Sequence, residues 1–157
     1  MADIIFWRHA EAEDVSASGK DIDRALTKRG RKDAARMAKW LSQHLPAVTL
    51  VLCSPAQRCL ETAAALSALN QVQIKIEDFL SVDSNVEHIA KELARKYSGK
   101  TVLIVGHQPN LGLLIVRLLG MHQSAGVVKK GSVWWVRQRT DGEAKSYYIY
   151  GVQQPGN

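Results

Sequence analysis

Ile4-Ile5-Phe6-Trp7 is an unbroken apolar run that stops at Arg8-His9. A short run of this kind, with no polar alternation, suits a strand buried inside a domain. Further strands are expected over Val48 to Cys53, over the shorter Val72 to Ile76, and over Thr101 to Val105. Amphipathic helical patterns lie between them. This order predicts an α/β protein, a three-layer α/β/α sandwich around a mostly parallel central sheet. In open sheets of that kind ligands sit beyond the carboxyl ends of the strands, which is where Arg8 and His9 fall. A histidine there can be a base, a ligand or a nucleophile. The guanidinium beside it offers a planar fork of donors suited to phosphate or carboxylate oxygens.

Thr27 reads as the cap of a helix reaching about His44, with Ala34, Met37, Ala38, Leu41 and Leu45 on its apolar face. Its many lysines and arginines are read as a solvated outer face. Ser54-Pro55-Ala56-Gln57 reads as a capping box with proline at the first helical position. That places Arg58 in the first turn, at the same sheet edge as Arg8, where a cation opposes the helix dipole unless an anion compensates. Ser84 with Glu87 reads as a second capping box, opening a helix that Gly99 closes. Gly106-His107-Gln108-Pro109-Asn110 follows the Thr101 to Val105 strand at once, and a helix is expected from Asn110 to Leu119. His107 therefore stands, like His9, at the carboxyl end of a central strand. Two antiparallel strands, Ser132 to Arg139 and Lys145 to Val152, are expected about an Asp141-Gly142 turn, with their aromatics in packing roles. Two long loops remain. Ala10 to Leu26 is acidic and carries Arg24; a structureless loop of that length in a compact domain points to a site. Gly120 to Gly131 carries Lys129 and Lys130, which either border the site or belong to a plain surface loop, the reading preferred here.

The 157 residues suit one domain spanning 1–157, and the 46% hydrophobic content is enough for a core. No apolar run approaches a membrane span and no signal-peptide pattern opens the chain, so a cytoplasmic protein without membrane contact is expected. Cys53 and Cys59 are too few for a disulfide framework and are expected to be reduced. The net charge of +6 suits an anionic substrate. No nucleic-acid motif accompanies it, and no nucleic-acid partner is expected.

Phe6-Trp7-Arg8-His9-Ala10, Arg24-Ala25-Leu26-Thr27-Lys28-Arg29-Gly30, Ser54 through Thr62, and Val105-Gly106-His107 together resemble the histidine phosphatase superfamily, in the order that family uses and across most of the chain. The short length is most similar to SixA-type phosphohistidine phosphatases, with little room for a lid. The resemblance implies a phosphoglycerate-mutase-like fold with an antiparallel C-terminal edge. It implies His9 as a nucleophile that becomes phosphorylated, with His107, Arg8 and Arg58 holding the phosphoryl group and Arg24 as a further phosphate ligand. It implies no metal and no cofactor. The implied substrate is a phosphorylated protein, such as a histidine-containing phosphotransfer domain. Ala10 replaces the family's usual glycine, a small change. The glutamate acid that many members carry after the third strand has no clear counterpart: Phe79 falls near that place. Glu77, Asp78, Asp83, Glu13 or no residue at all are the alternatives for a proton donor. A small-molecule phosphomonoesterase and a non-catalytic phosphate- or phosphopeptide-binding module are the competing readings.

Overall fold

The computed structural model describes residues 2–121 and 127–156. Its strands are β1 (Asp3–Arg8), β2 (Leu50–Cys53), β3 (Ile74–Ile76), β4 (Val102–Gly106), β5 (Val133–Asp141) and β6 (Ala144–Gln153). Its helices are α1 (Lys28–His44), α2 (Gln57–Asn70), α3 (Val86–Tyr97) and α4 (Asn110–Leu119). The sheet order is β3-β2-β4-β1-β5-β6. β1 to β4 are mutually parallel, and β5 and β6 complete an antiparallel edge. The α/β architecture and the antiparallel C-terminal edge expected from the sequence are both present.

The pleat explains why the inner strands read as continuous apolar runs: successive side chains enter opposite layers, and both layers are covered. Ile5 and Trp7 of β1 join Val51, Leu103 and Val105 beneath Met37 and Leu41 of α1 and Leu66 of α2. Phe6 points the other way, joining Leu52 and Ile104 beneath Leu114 and Ile115 of α4 and Ile89 of α3. β1 thus leads to a helix on one face and β4, its neighbour, to a helix on the other. Loops that leave adjacent strands for opposite faces open a crevice at their carboxyl ends. The register pairs Arg8 with Gly106, so His9 and His107 are the next residues out of the sheet on each side of that crevice.

Both expected capping boxes are corrected. α2 begins at Gln57, after Ala56, and has no side-chain cap. Gln57 bonds forward to Glu61 rather than back to Ser54. The Ser54 hydroxyl accepts from the Ala56 N–H at 3.2 Å and is engaged by the ring of His107 at 2.8 Å, which fixes it outside the helix. At α3 the cap is Asn85, whose side chain accepts from the His88 N–H at 2.9 Å. Glu87 there reaches across to Arg117 of α4 instead of back to Ser84. The hairpin turn also sits one residue later than expected, with Gly142 in the left-handed region at φ 64° between β5 and β6. Positions 122–126 of the expected Gly120 to Gly131 loop lie outside the described residues.

The N-terminus of α1 is wedged against the loop that leaves β1. Thr27 accepts from the Gly30 N–H at 2.9 Å, and the Thr27 N–H donates to the Glu11 carbonyl at 3.0 Å. A Cβ on Gly30 would stand 2.0 Å from that same carbonyl oxygen. The clash is with backbone, which cannot swing aside as a side chain can. Gly30→Ala is therefore expected to destabilise the protein by about 3 kcal/mol, at the upper end of overpacking costs, although alanine is the better helix former. Urea denaturation of the two proteins measures it; an unchanged or higher midpoint would contradict the close approach.

Candidate active site

His9 leaves β1 with its ring buried and only 7% of the residue exposed. Its Nδ1 lies 2.8 Å from the Ala10 carbonyl. A carbonyl only accepts, so Nδ1 carries the proton and Nε2 keeps its lone pair. The ring is held neutral: its pKa is pushed down to about 4, chiefly by burial, with Arg58, Arg8 and Arg24 adding positive charge. The Ala10 hydrogen bond works the other way, favouring positive charge on the ring. The backbone around it is pinned on several sides. The His9 N–H donates to the Gly106 carbonyl, and the Gly131 N–H lies within hydrogen-bond reach of the His9 carbonyl. The Ala10 N–H donates to the Thr62 hydroxyl at 3.1 Å, which itself donates to the Arg58 carbonyl. Thr62 thus ties the β1 loop to the first turns of α2.

His107 faces His9 with ring centroids 5.3 Å apart in an edge-on arrangement. Its pKa is pushed down to about 3, first by burial and then by His9 and Arg58, against a raising effect from Asp21. The Ser54 hydroxyl is 2.8 Å from Nε2 and can serve either ring tautomer, accepting from Nε2–H or donating to a bare Nε2. Arg58 Nη2 lies 3.4 Å from Nδ1. When an anion calls for a donor at Nδ1, Ser54 supplies the hydrogen at Nε2 that this tautomer needs. The sequence pattern suggests a helix cap at Ser54, whereas the structure sets its hydroxyl beside His107, a partner that no local signal reveals.

Three guanidiniums surround the histidines. Arg58 is buried at 3% exposure and donates from Nη1 to the Asp21 carbonyl and from Nη2 to the Asp21 carboxylate. Arg24 donates to the other oxygen of that carboxylate at 2.8 Å and to the Glu13 carbonyl at 2.6 Å. Arg8 donates to the Val128 carbonyl, and its pKa is lowered by burial and by Arg58. The buried Nε atoms of Arg8 and Arg58 have no acceptor among the described residues. Like charges packed with unmet donors form a setting that an oxyanion stabilises. The structure therefore gathers His9, His107, Arg8, Arg58 and Arg24 at one sheet edge.

The four carboxylates considered as proton donors fall in different places. Glu77 is bound at α3 by Lys96 and the Tyr97 hydroxyl, which together outweigh burial and hold its carboxyl below the ordinary range. Asp78 opens a short 3₁₀ turn, and Glu13 lies exposed in the first loop. Asp83 lines a cleft of about 250 Å³ beside Ser54, together with Asp21, Ile22, Pro55 and Val82. A larger hollow of about 300 Å³, between α3, α4 and the β5–β6 hairpin, contains none of the five residues gathered at the sheet edge. Cys53 and Cys59 are free and buried, and burial pushes both thiols well above their ordinary range. Among the described residues no group of three His, Cys, Asp or Glu side chains could hold a metal ion, and no helix is long and apolar enough to cross a membrane.

Neutral buried histidines make acid stability a direct readout of the site. Unfolded, both rings take up protons near 6.5; folded, they do so only near 4 and 3. Between those values the unfolded chain binds more protons, so stability falls as the pH drops from about 6.5 toward 4. Each histidine contributes up to about 1.4 kcal/mol per pH unit in that window. His9→Asn is expected to flatten the slope by about that amount in urea titrations between pH 6 and 4.5. An identical slope in the variant would mean that His9 protonates freely when folded.

An arginine-lined crevice at the carboxyl edge of a six-stranded α/β sheet, with a histidine just past the end of each of two inner strands, is a setting suited to an oxyanion. The chain belongs to the histidine phosphatase superfamily: the model of its branch 1 matches residues 4–81. A phosphohistidine phosphatase SixA homolog of Haemophilus influenzae is 32% identical over 130 residues, covering 74% of this chain and 77% of that protein. A putative phosphohistidine phosphatase SixA from Nakamurella multipartitia superposes with a TM-score of 0.79 at 27% identity, over 98% of this chain and 96% of that one. The protein histidine phosphatase SixA in complex with tungstate shares the fold at a TM-score of 0.81 and 22% identity, over 98% and 97%.

Proposed function

We propose that the chain hydrolyses phosphohistidine on a protein through a phosphorylated His9, without a metal, working as one domain. The observation that carries this reading is the His9 ring itself: neutral, its proton committed to the Ala10 carbonyl so that Nε2 keeps its lone pair, and near enough to three guanidiniums for each to act on its charge. Phosphoryl transfer asks mainly for positioning and for charge stabilisation on the three outer oxygens. In the first step a bond forms from His9 Nε2 to phosphorus as the substrate's P–N bond breaks, and the substrate's ring, already protonated at its other nitrogen, takes the bond's electron pair and departs as neutral imidazole. The His9 ring then carries positive charge, which the Ala10 carbonyl stabilises through Nδ1–H. In the second step water attacks phosphorus, the P–Nε2 bond breaks, and phosphate leaves with His9 neutral again. Arg8, Arg58, Arg24 and His107 hold the phosphoryl oxygens in both steps. A protonated imidazole departs more readily than an alkoxide, so phosphohistidine makes a small demand on a dedicated acid. The SixA homolog and structures similar to this chain support the same substrate class.

The test is a comparison of kcat/KM on a phosphohistidine-bearing phosphotransfer domain and on small phosphate esters such as p-nitrophenyl phosphate. A preference of at least about tenfold for the phosphoprotein is expected, about 1.4 kcal/mol of transition-state discrimination. Preference for the esters would instead make the chain a small-molecule phosphomonoesterase. Phosphopeptide binding with no turnover on either would make it a binding module.

A further inference from the structure

Two of the three guanidiniums at the site are already engaged by a carboxylate of this chain. Asp21 Oδ1 lies 2.8 Å from Arg24 Nη1, and Asp21 Oδ2 lies 3.1 Å from Arg58 Nη2. Arg58 Nη1 is taken by the carbonyl of the same residue at 3.0 Å. One residue thus absorbs both terminal nitrogens of a buried arginine and bridges it to a second. The Asp21 carboxyl is held low chiefly by its hydrogen bond from Arg24, against the opposing effect of burial, with Arg58 adding to the lowering. It is therefore an anion that accepts hydrogen bonds, not a poised acid.

We propose that Asp21 is a displaceable internal surrogate for the phosphoryl group: its carboxylate holds Arg24 and Arg58 as a substrate oxyanion would, and the incoming group must evict it. The proposal rests on the reading of the arginine cluster as a phosphate site. Asp21 is built to leave. Its side chain is 52% exposed, and it sits on a three-residue 3₁₀ turn, Asp21–Asp23, with no buried residue. It also lines the cleft beside Ser54, into which the carboxylate can turn once released.

The exchange selects by charge and by shape. A carboxylate brings one charge and two oxygens, which Arg24 and Arg58 use up. A phosphoryl dianion brings a second charge and a third outer oxygen, which can also serve Arg8 and the unmet buried donors on Arg8 and Arg58. A ligand that is itself only a carboxylate gains nothing over Asp21. The latch thus lowers the affinity for every anion and leaves a net gain to phosphoryl groups. The loss follows from populations: if Asp21 is engaged in nine molecules of ten, apparent affinity falls about tenfold.

Calorimetric titration with inorganic phosphate, on wild type, Asp21→Asn and Asp21→Glu, tests this, together with KM and kcat on a phosphohistidine protein. Asparagine removes the charge and keeps the shape; glutamate keeps the charge. Asp21→Asn is expected to bind phosphate about tenfold more tightly, with the gain in turnover carried by KM rather than kcat, while Asp21→Glu stays near wild type. Phosphate affinity unchanged or weaker in Asp21→Asn overturns the proposal and leaves the phosphatase reading standing, provided that wild type binds phosphate. A fall in kcat at constant KM overturns it in favour of a proton donor. Equal tightening in Asp21→Glu overturns it in favour of a loosened loop. Failure of wild type and both variants to bind phosphate removes the phosphate site itself, and the surrogate with it.

Discussion

His9→Asn is expected to reduce turnover on a phosphohistidine protein by at least about 10⁴-fold, the scale on which loss of a covalent nucleophile is felt. The asparagine amide can donate to the Ala10 carbonyl much as Nδ1 does, but it presents no basic nitrogen toward the arginines. Because the native ring is neutral, the exchange replaces one uncharged buried side chain by another. Stability at pH 7 should therefore stay within about 1 kcal/mol of wild type, in the range of substitutions that keep buried polar groups satisfied. Loss of activity without loss of fold is what separates a nucleophile from a structural histidine. Activity within tenfold of wild type would show that phosphorus is attacked by something else.

Arg58 carries the second large effect, and here activity and stability are expected to move apart. Its guanidinium is buried, adjoins His107 and lowers the pKa of both histidines and of Arg8. Arg58→Met should cost about 10²- to 10³-fold in kcat/KM, as removal of one preorganised oxyanion donor does. Arg58→Lys should recover little of that, because an ammonium cannot present two parallel donors. Stability should nevertheless change by no more than about 1 kcal/mol in the methionine variant, since the Asp21 carboxylate left behind is half exposed and keeps its bond to Arg24, while a cation is removed from beside Arg8. Kinetics and urea denaturation on the same preparations measure both quantities. A large loss of stability with unchanged kcat/KM would recast Arg58 as a structural anchor for Asp21.

The parts of this site that were legible in the sequence are those dictated by strand ends. Arg8-His9 and Gly106-His107 each follow an apolar run, and the pairing of Arg8 with Gly106 turns two separate one-dimensional signals into neighbours. Arg58 was legible as a cation at a helix start, although α2 opens at Gln57, later than Ser54-Pro55 suggests. What the sequence concealed depends on distant partners. Ser54-Pro55-Ala56-Gln57 spells a capping box, and only a histidine 53 residues further on takes the serine away from that use. Ser84 and Glu87 spell another, but Asn85 supplies the cap and Arg117 claims the glutamate. Asp21 is one acid among several in the first loop; its bond to Arg58, 37 residues away, singles it out only in three dimensions. Gly30 looks like a poor choice for the first turn of a helix until the Glu11 carbonyl is placed against it.

The most direct measurement of the central claim is rapid-quench trapping of the enzyme during turnover of a ³²P-labelled phosphohistidine protein, followed by peptide mapping. The account predicts acid-labile, base-stable label on the peptide that contains His9, formed and lost at rates compatible with turnover and absent from His9→Asn. Turnover with no label on the enzyme, or label on a peptide that lacks His9, would contradict it.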